Sequence, residues 1–141
     1  MTIKEIQEEI IDEFAVFDDW MERYEYMIDL GKSVEIIDTA NKTDENLIKG
    51  CQSKVWIHAD LNEDKIHFTA DSDAILTKGI VALVLRVFSN QKPSDILEAD
   101  TEFINEIGLK EHLSPTRANG LVSMLKQIKL YALAYQSKLT E

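Results

Sequence analysis

Val55-Trp56-Ile57-His58-Ala59-Asp60-Leu61-Asn62-Glu63-Asp64-Lys65-Ile66-His67-Phe68-Thr69-Ala70 is the stretch whose period decides the fold. Val55, Ile57 and Ala59 alternate with Trp56 and His58. Ile66, Phe68 and Ala70 alternate with His67 and Thr69. Period two on both sides of a polar Asn62-Glu63-Asp64 predicts an antiparallel hairpin with one apolar face. That face has to be covered, and the flanking segments read as the helices that cover it.

Downstream, Asp71-Ser72-Asp73 ends the second strand and offers N-caps for a helix from about Ala74 to Phe88. From Ile80 to Val87 it is apolar nearly all round, with only Arg86 breaking the run, so it is expected to be the central helix. Pro93 suits the first turn of a short helix. Asp100 can cap another, which Gly108 ends. Ser114-Pro115 pairs an N-cap with proline at the first helical position, opening a last helix to about Ser137. Its buried stripe is Leu121, Leu125, Ile128, Ala132 and Tyr135. Upstream, Ile3, Ile6, Ile10, Phe14 and Phe17 mark one face of a first helix. Asp19 with Glu22 reads as a capping box for a second, with Trp20, Tyr24, Met27 and Ile28 as its stripe and Gly31 as its stop. Asn41 to Glu45 is expected to be loop. There is no repeat, low-complexity segment or linker. The expectation is a single α+β domain over residues 1–141, with helices packed on a small antiparallel sheet.

The chain has 141 residues and a formal net charge of −11. Its length suffices to bury about two-thirds of the unfolded surface. Its charge argues against nucleic acid, which needs Lys and Arg against phosphate, and against an anionic membrane surface. The longest apolar run, Ile80 to Leu85, falls far short of the ~20 residues of a membrane span. Met1 to Ile10 carries three Glu and one Lys and no apolar core run, unlike a signal peptide. A cytosolic protein with a reduced thiol is expected. His58, His67 and His112 lack ligand spacing, and one cysteine cannot hold a zinc or iron–sulfur site alone.

That one cysteine, Cys51, lies in Gly50-Cys51-Gln52-Ser53-Lys54, the loop feeding the first strand. Between Asn46 and Ala59 there is no Asp or Glu, while Lys49 and Lys54 flank the thiol. This local charge acts in the direction of a thiolate. Charge alone achieves little. Lowering the pKa to ~7 raises the thiolate fraction about 16-fold and weakens the nucleophile about 5-fold, a net gain of about 3-fold. Useful rates must come from positioning against a partner. His58 is the nearest histidine, and nothing marks it as a base, so a stand-alone cysteine hydrolase is disfavoured. An inert cysteine in a binding module is the competing reading.

The block Gly50-Cys51-Gln52-Ser53-Lys54-Val55-Trp56 resembles the signature of the SufE family, sulfur acceptors of iron–sulfur cluster assembly. Three further blocks resemble the family in order: Trp20-Met21-Glu22-Arg23-Tyr24 with Leu30-Gly31; Ala70-Asp71-Ser72-Asp73-Ala74 with Lys78-Gly79; and His112-Leu113-Ser114-Pro115-Thr116-Arg117 with Asn119-Gly120-Leu121. Two departures stand out. Val34-Glu35 occupies the place of a Leu-Pro, and Thr116 stands where Ser is common. The first affects a loop, not the chemistry.

The resemblance implies the SufE/IscU-like fold. It implies that Cys51 accepts persulfide sulfur from a PLP-dependent cysteine desulfurase of the SufS type, or of the related CsdA type, and stimulates that enzyme. The sulfur would pass to the SufBCD scaffold. The chain itself would hold no cofactor, PLP belonging to the desulfurase, and would be a monomer or weak homodimer. Gly50, Gln52 and Ser53 would shape the loop, the latter two by side-chain-to-backbone bonds. A carrier gains from tucking its thiol against apolar neighbours until docked, at the cost of a raised pKa. Asp73 and Arg117 are possible supporting residues. Asp71 and Asp73 are expected first as helix caps. Arg117 sits in a first turn, where a cation opposes the helix dipole; it is expected either to pair with a specific partner such as Asp73 or the cysteine loop, or to be a solvated arginine.

Overall fold

In the computed structural model, the hairpin forms as its period requires. Residues 2–51 and 53–139 are described, Lys110 by its backbone alone. Strands β1 (Val55–Asn62) and β2 (Lys65–Ser72) pair antiparallel from Val55 opposite Ser72 to Asn62 opposite Lys65. Only Glu63 and Asp64 remain for the turn, and Glu63 takes φ 60°. One face of the hairpin is apolar and buried: Val55, Ile57 and Ala59 from β1, Ile66, Phe68 and Ala70 from β2.

Neither strand is left as a bare edge. The segment around Ile36 bridges β2, with Ala70 N–H donating to Glu35 O at 3.0 Å and Ile37 N–H to Ala70 O at 3.1 Å. On the outer side of β1, Ile48 N–H donates to Val55 O at 2.8 Å and Ile57 N–H to Asn46 O at 3.0 Å. These two short segments cap the exposed ladder groups that would otherwise template pairing with other chains.

Helix α3 (Ile75–Phe88) lies at the centre of the structure. Gly79 to Leu85, with Val87 and Phe88, are buried. Its neighbours are the hairpin, α1 (Ile3–Ala15), α2 (Trp20–Gly31) and α7 (Pro115–Leu139). Arg86, the single break in its apolar run, donates to Glu13 at 2.8 Å and Glu9 at 2.5 Å on α1. Arg86, with a hydroxyl hydrogen bond from Tyr26, holds the Glu13 carboxyl below its ordinary range. Short helices α4 (Pro93–Glu98), α5 (Glu102–Glu106) and α6 (Leu109–His112) lead into α7.

Three local expectations are corrected. Gly31 does not stop α2 by a left-handed turn; its φ is not positive, unlike Gly50 and Gly108. It faces Gly79 on α3, and a Cβ on Gly31 would lie 3.0 Å from Gly79 N. The glycine is there for helix–helix approach. The α2 box is half present: the Asp19 carboxylate accepts from Glu22 N–H at 2.9 Å. The full box sits on α1, where Thr2 and Glu5 cap reciprocally. Finally, neither Asp71 nor Asp73 caps α3. Its N-cap is Ala74, with no side-chain cap. Both carboxylates are engaged elsewhere.

No helix among the described residues is long and apolar enough to cross a membrane.

Candidate functional site

The Cys51 loop lies on the first turns of α7. Gly50 takes φ +93°, a left-handed conformation that glycine adopts without penalty. It also rests against Ser123: a Cβ there would lie 2.6 Å from Ser123 Oγ. The next residue is thereby turned inward. Cys51 Sγ–H donates to the Gly120 carbonyl at 3.6 Å. Gly120 is buried and passes close beneath the thiol: a Cβ there would sit 3.2 Å from Sγ, so the sulfur would have to give way by a few tenths of an ångström. One glycine shapes the loop and the other makes space for its sulfur.

The thiol borders a small cavity of about 40 Å³. Thr77 and Ile80 of α3 and Thr116, Arg117, Gly120 and Met124 of α7 line it with Cys51 and Ser53. About 10–15 Å³ of water-accessible space is enough to hold a water, so the space admits a further small atom beside the thiol. Burial pushes the Cys51 thiol up. The flanking lysines do not offset this, because the desolvated thiol faces a carbonyl oxygen rather than an ammonium.

The far end of the loop is clamped. Asp73 accepts from Lys54 N–H at 3.0 Å through its carboxylate, and its own N–H donates to Lys54 O at 3.2 Å. Asp73 therefore fixes where the loop joins β1. Asp71 works one step further out, with Lys42 at 2.5 Å and Lys78 at 3.4 Å. Those lysines and the Ser72 N–H hold its carboxyl below the ordinary range against partial burial. Lys42 also lies over the Trp56 ring at 5.2 Å, tying the 39–42 turn to β1.

Of the residues singled out in the sequence, Cys51, Ser53 and Arg117 meet at the cavity, and Gly50 packs beside Ser123. Asp73 sits at the loop base instead, and no ion pair links it to Arg117 among the described residues. Gln52 lies outside the described residues. Sequence reasoning missed Thr77, Ile80, Met124 and Ser123 as loop neighbours. Thr77 is a buried hydroxyl on an apolar helix, the one signal that could have drawn attention to it. Among the described residues, no three His, Cys, Asp or Glu side chains gather as a metal site.

A lone thiol on a shaped loop lies tucked against two helices of an α+β domain. Residues 8–132 match the SufE family model, described as an Fe-S metabolism associated domain. The chain belongs to the SufE family and so to iron–sulfur metabolism. It is 43% identical over 127 residues to an uncharacterised SufE-like protein of Rhizobium meliloti, covering 86% of this chain and 91% of that one. It is 37% identical to a SufE-like protein of Synechocystis, covering 90% and 80%. SufE-like protein 1, chloroplastic/mitochondrial, of Arabidopsis thaliana is 36% identical over 93% of this chain and 36% of its own length. A hypothetical protein of Thermus thermophilus, solved in solution, shares the fold with a TM-score of 0.78 at 18% identity, covering 94% and 96%.

Proposed function

We propose that this chain is a sulfur carrier that accepts persulfide sulfur on Cys51 from a PLP-dependent cysteine desulfurase of the SufS type. It stimulates that enzyme by removing the product sulfur and delivers the sulfur to the SufBCD scaffold in the cytosol. No cofactor of its own takes part. The observation that carries the reading is the seating of the only thiol at 3.6 Å from Gly120 O beside a small cavity, on a loop whose two ends are independently fixed.

The transfer step balances without an external oxidant. Cys51 gives up its proton, and the thiolate attacks the outer sulfur of the desulfurase's cysteine persulfide. The Cys51 S–S bond forms, the enzyme's S–S bond breaks, and the enzyme cysteine leaves as a thiolate. In the free carrier the thiol is protonated and tucked. Docking draws the loop out, restores solvation and lowers the pKa. After transfer, retucking shields the sulfane sulfur from stray thiols. The gain comes from positioning, since the tucked thiol is a poorer nucleophile than a free one.

The test is intact-mass spectrometry after incubation with a SufS-type desulfurase, PLP and cysteine without reductant. The wild-type chain gains one sulfur atom, lost on dithiothreitol treatment, and Cys51→Ser gains none. Wild-type protein that stays at its original mass beside an active cognate desulfurase overturns the carrier role.

A further inference from the structure

The acids of this chain are unevenly placed. Residues 112–140 contain none. With 26 acids in 141 residues, a fixed window of 29 lacks them by chance about 0.3% of the time, so the run is a feature of charge patterning rather than accident. Residues 46–59 lack them too. The fold brings these two segments together: Gly50 packs on Ser123 and Cys51 on Gly120. Two acid-free segments thus meet at the thiol loop on a protein that is acidic overall.

The exposed cations of these segments are unpaired among the described residues, whereas several elsewhere are held by acids. Lys32, Lys42, Lys78, Arg86 and Lys92 each lie beside a carboxylate. Lys49, Lys54, Arg117 and Lys126 are exposed and have no ion pair among the described residues. Lys129 is spent internally on the carbonyls that end α4, with Nζ 2.5 Å from both Ile96 O and Ala99 O.

Beside the loop a groove of about 420 Å³ runs along α7. Ile48, Ser123 and Leu130 line it together with Lys49 and Lys126 and with the acids Asp44 and Glu45. Leu130 is 58% exposed, and Leu133 and Val122 lie on the same helix at 57% and 43%. Exposed leucine rimmed by unpaired lysine is the composition of a contact patch, with apolar anchors inside and charge outside.

Building on the carrier reading above, we propose that this face, centred on Lys49, Lys126 and Leu130, is where the sulfur-donating desulfurase docks, and that the enzyme meets it with an acidic surface. A second copy of this chain is disfavoured as the occupant, because it would bring −11 against −11. An acidic partner is drawn instead by a face whose exposed cations are unpaired among the described residues, and that face already holds the thiol. Rim charges of this kind act mainly on encounter and affinity, and less on the chemical step.

The experiment uses the full-length chain with its SufS-type desulfurase, following cysteine desulfuration as carrier concentration is varied. Lys126→Glu raises the KM for carrier about tenfold, with kcat changed less than twofold. Leu130→Asp raises it likewise. Glu45→Lys, which removes an acid from the same groove, lowers it. Cys51 alkylation in the free variants matches wild type, which shows that the loop is intact. Unchanged KM in both Lys126→Glu and Leu130→Asp, with wild-type transfer normal, overturns the docking surface alone. A wild-type chain that takes up no sulfur overturns the carrier reading and this surface with it. A wild-type dimer in sedimentation that Leu130→Asp dissociates would assign the face to self-association and also overturn the proposal.

Discussion

At Cys51, geometry and acidity point the same way. The sulfur donates to a helix carbonyl, and burial pushes its pKa up. A group whose protonated form is favoured in the folded state binds more protons there than when released. The tucked arrangement is therefore fully stabilised below the free-thiol pKa of about 8.5 and loses that stabilisation as pH rises through the folded value. Iodoacetamide labelling of the free protein should show its half-point above that of a cysteine peptide. Gly120→Ala separates the tuck from general stability. Its Cβ would press on Sγ at 3.2 Å, while alanine improves intrinsic helix propensity by up to about 1 kcal/mol. The variant should keep its unfolding midpoint, label several-fold faster at pH 7.5 and return its half-point toward the peptide value. Equal labelling rates for wild type and variant would mean that the helix glycine does not set the thiol's position.

The crossing of α2 and α3 depends on a glycine from each helix. A Cβ on Gly79 would lie 2.3 Å from Met27 O and 2.7 Å from Met27 C, and backbone atoms cannot step aside as a flexible side chain does. Gly79→Ala must push the helices apart under the buried Met27 and Ile80. Overpacking of this sort costs typically 1–3 kcal/mol, and here the upper end applies. Urea unfolding should show the midpoint fall accordingly, whereas a Gly79→Ala midpoint within error of wild type would rule out the close crossing. The same pair shows what the sequence could and could not convey. Gly31 was legible as special, but a glycine that ends a helix and one that admits a neighbour are the same letter. Period two revealed β1 and β2, and three- and four-residue periodicity revealed α1, α2 and α7. Residues 35–37 and 46–48 escaped notice because bridges of so few residues carry no period. Helix α6, at four residues, is too short to have one. Asp73 read as a cap because acids before helices usually are; the amide that claims it belongs to Lys54, in the thiol loop just before β1. Cys51 was legible through being alone and through its motif. Thr77 and Met124 were not, since a cavity wall assembled from α3 and α7 leaves no pattern in either.

Across the whole molecule, electrostatics works in two opposed senses, and salt distinguishes them. A net charge of −11 on 141 residues repels itself in the compact state, and screening relieves that repulsion. The same screening weakens attraction between the unpaired cations of the thiol face and an acidic partner, because exposed charges beyond the ~8 Å Debye length at 0.15 M are largely screened from one another. Raising sodium chloride from 20 to about 200 mM should therefore raise the Tm of the isolated chain by a few degrees. It should lower kcat/KM for the desulfurase–carrier pair by about tenfold, chiefly through slower association. Lys126→Glu should flatten the kinetic response and leave the thermal one nearly unchanged, since one exposed charge alters self-repulsion little but removes a cation from the contact. If Tm and kcat/KM were to move together with salt, a single global effect on folding would explain both. The uneven placement of acids would then serve solubility rather than recognition.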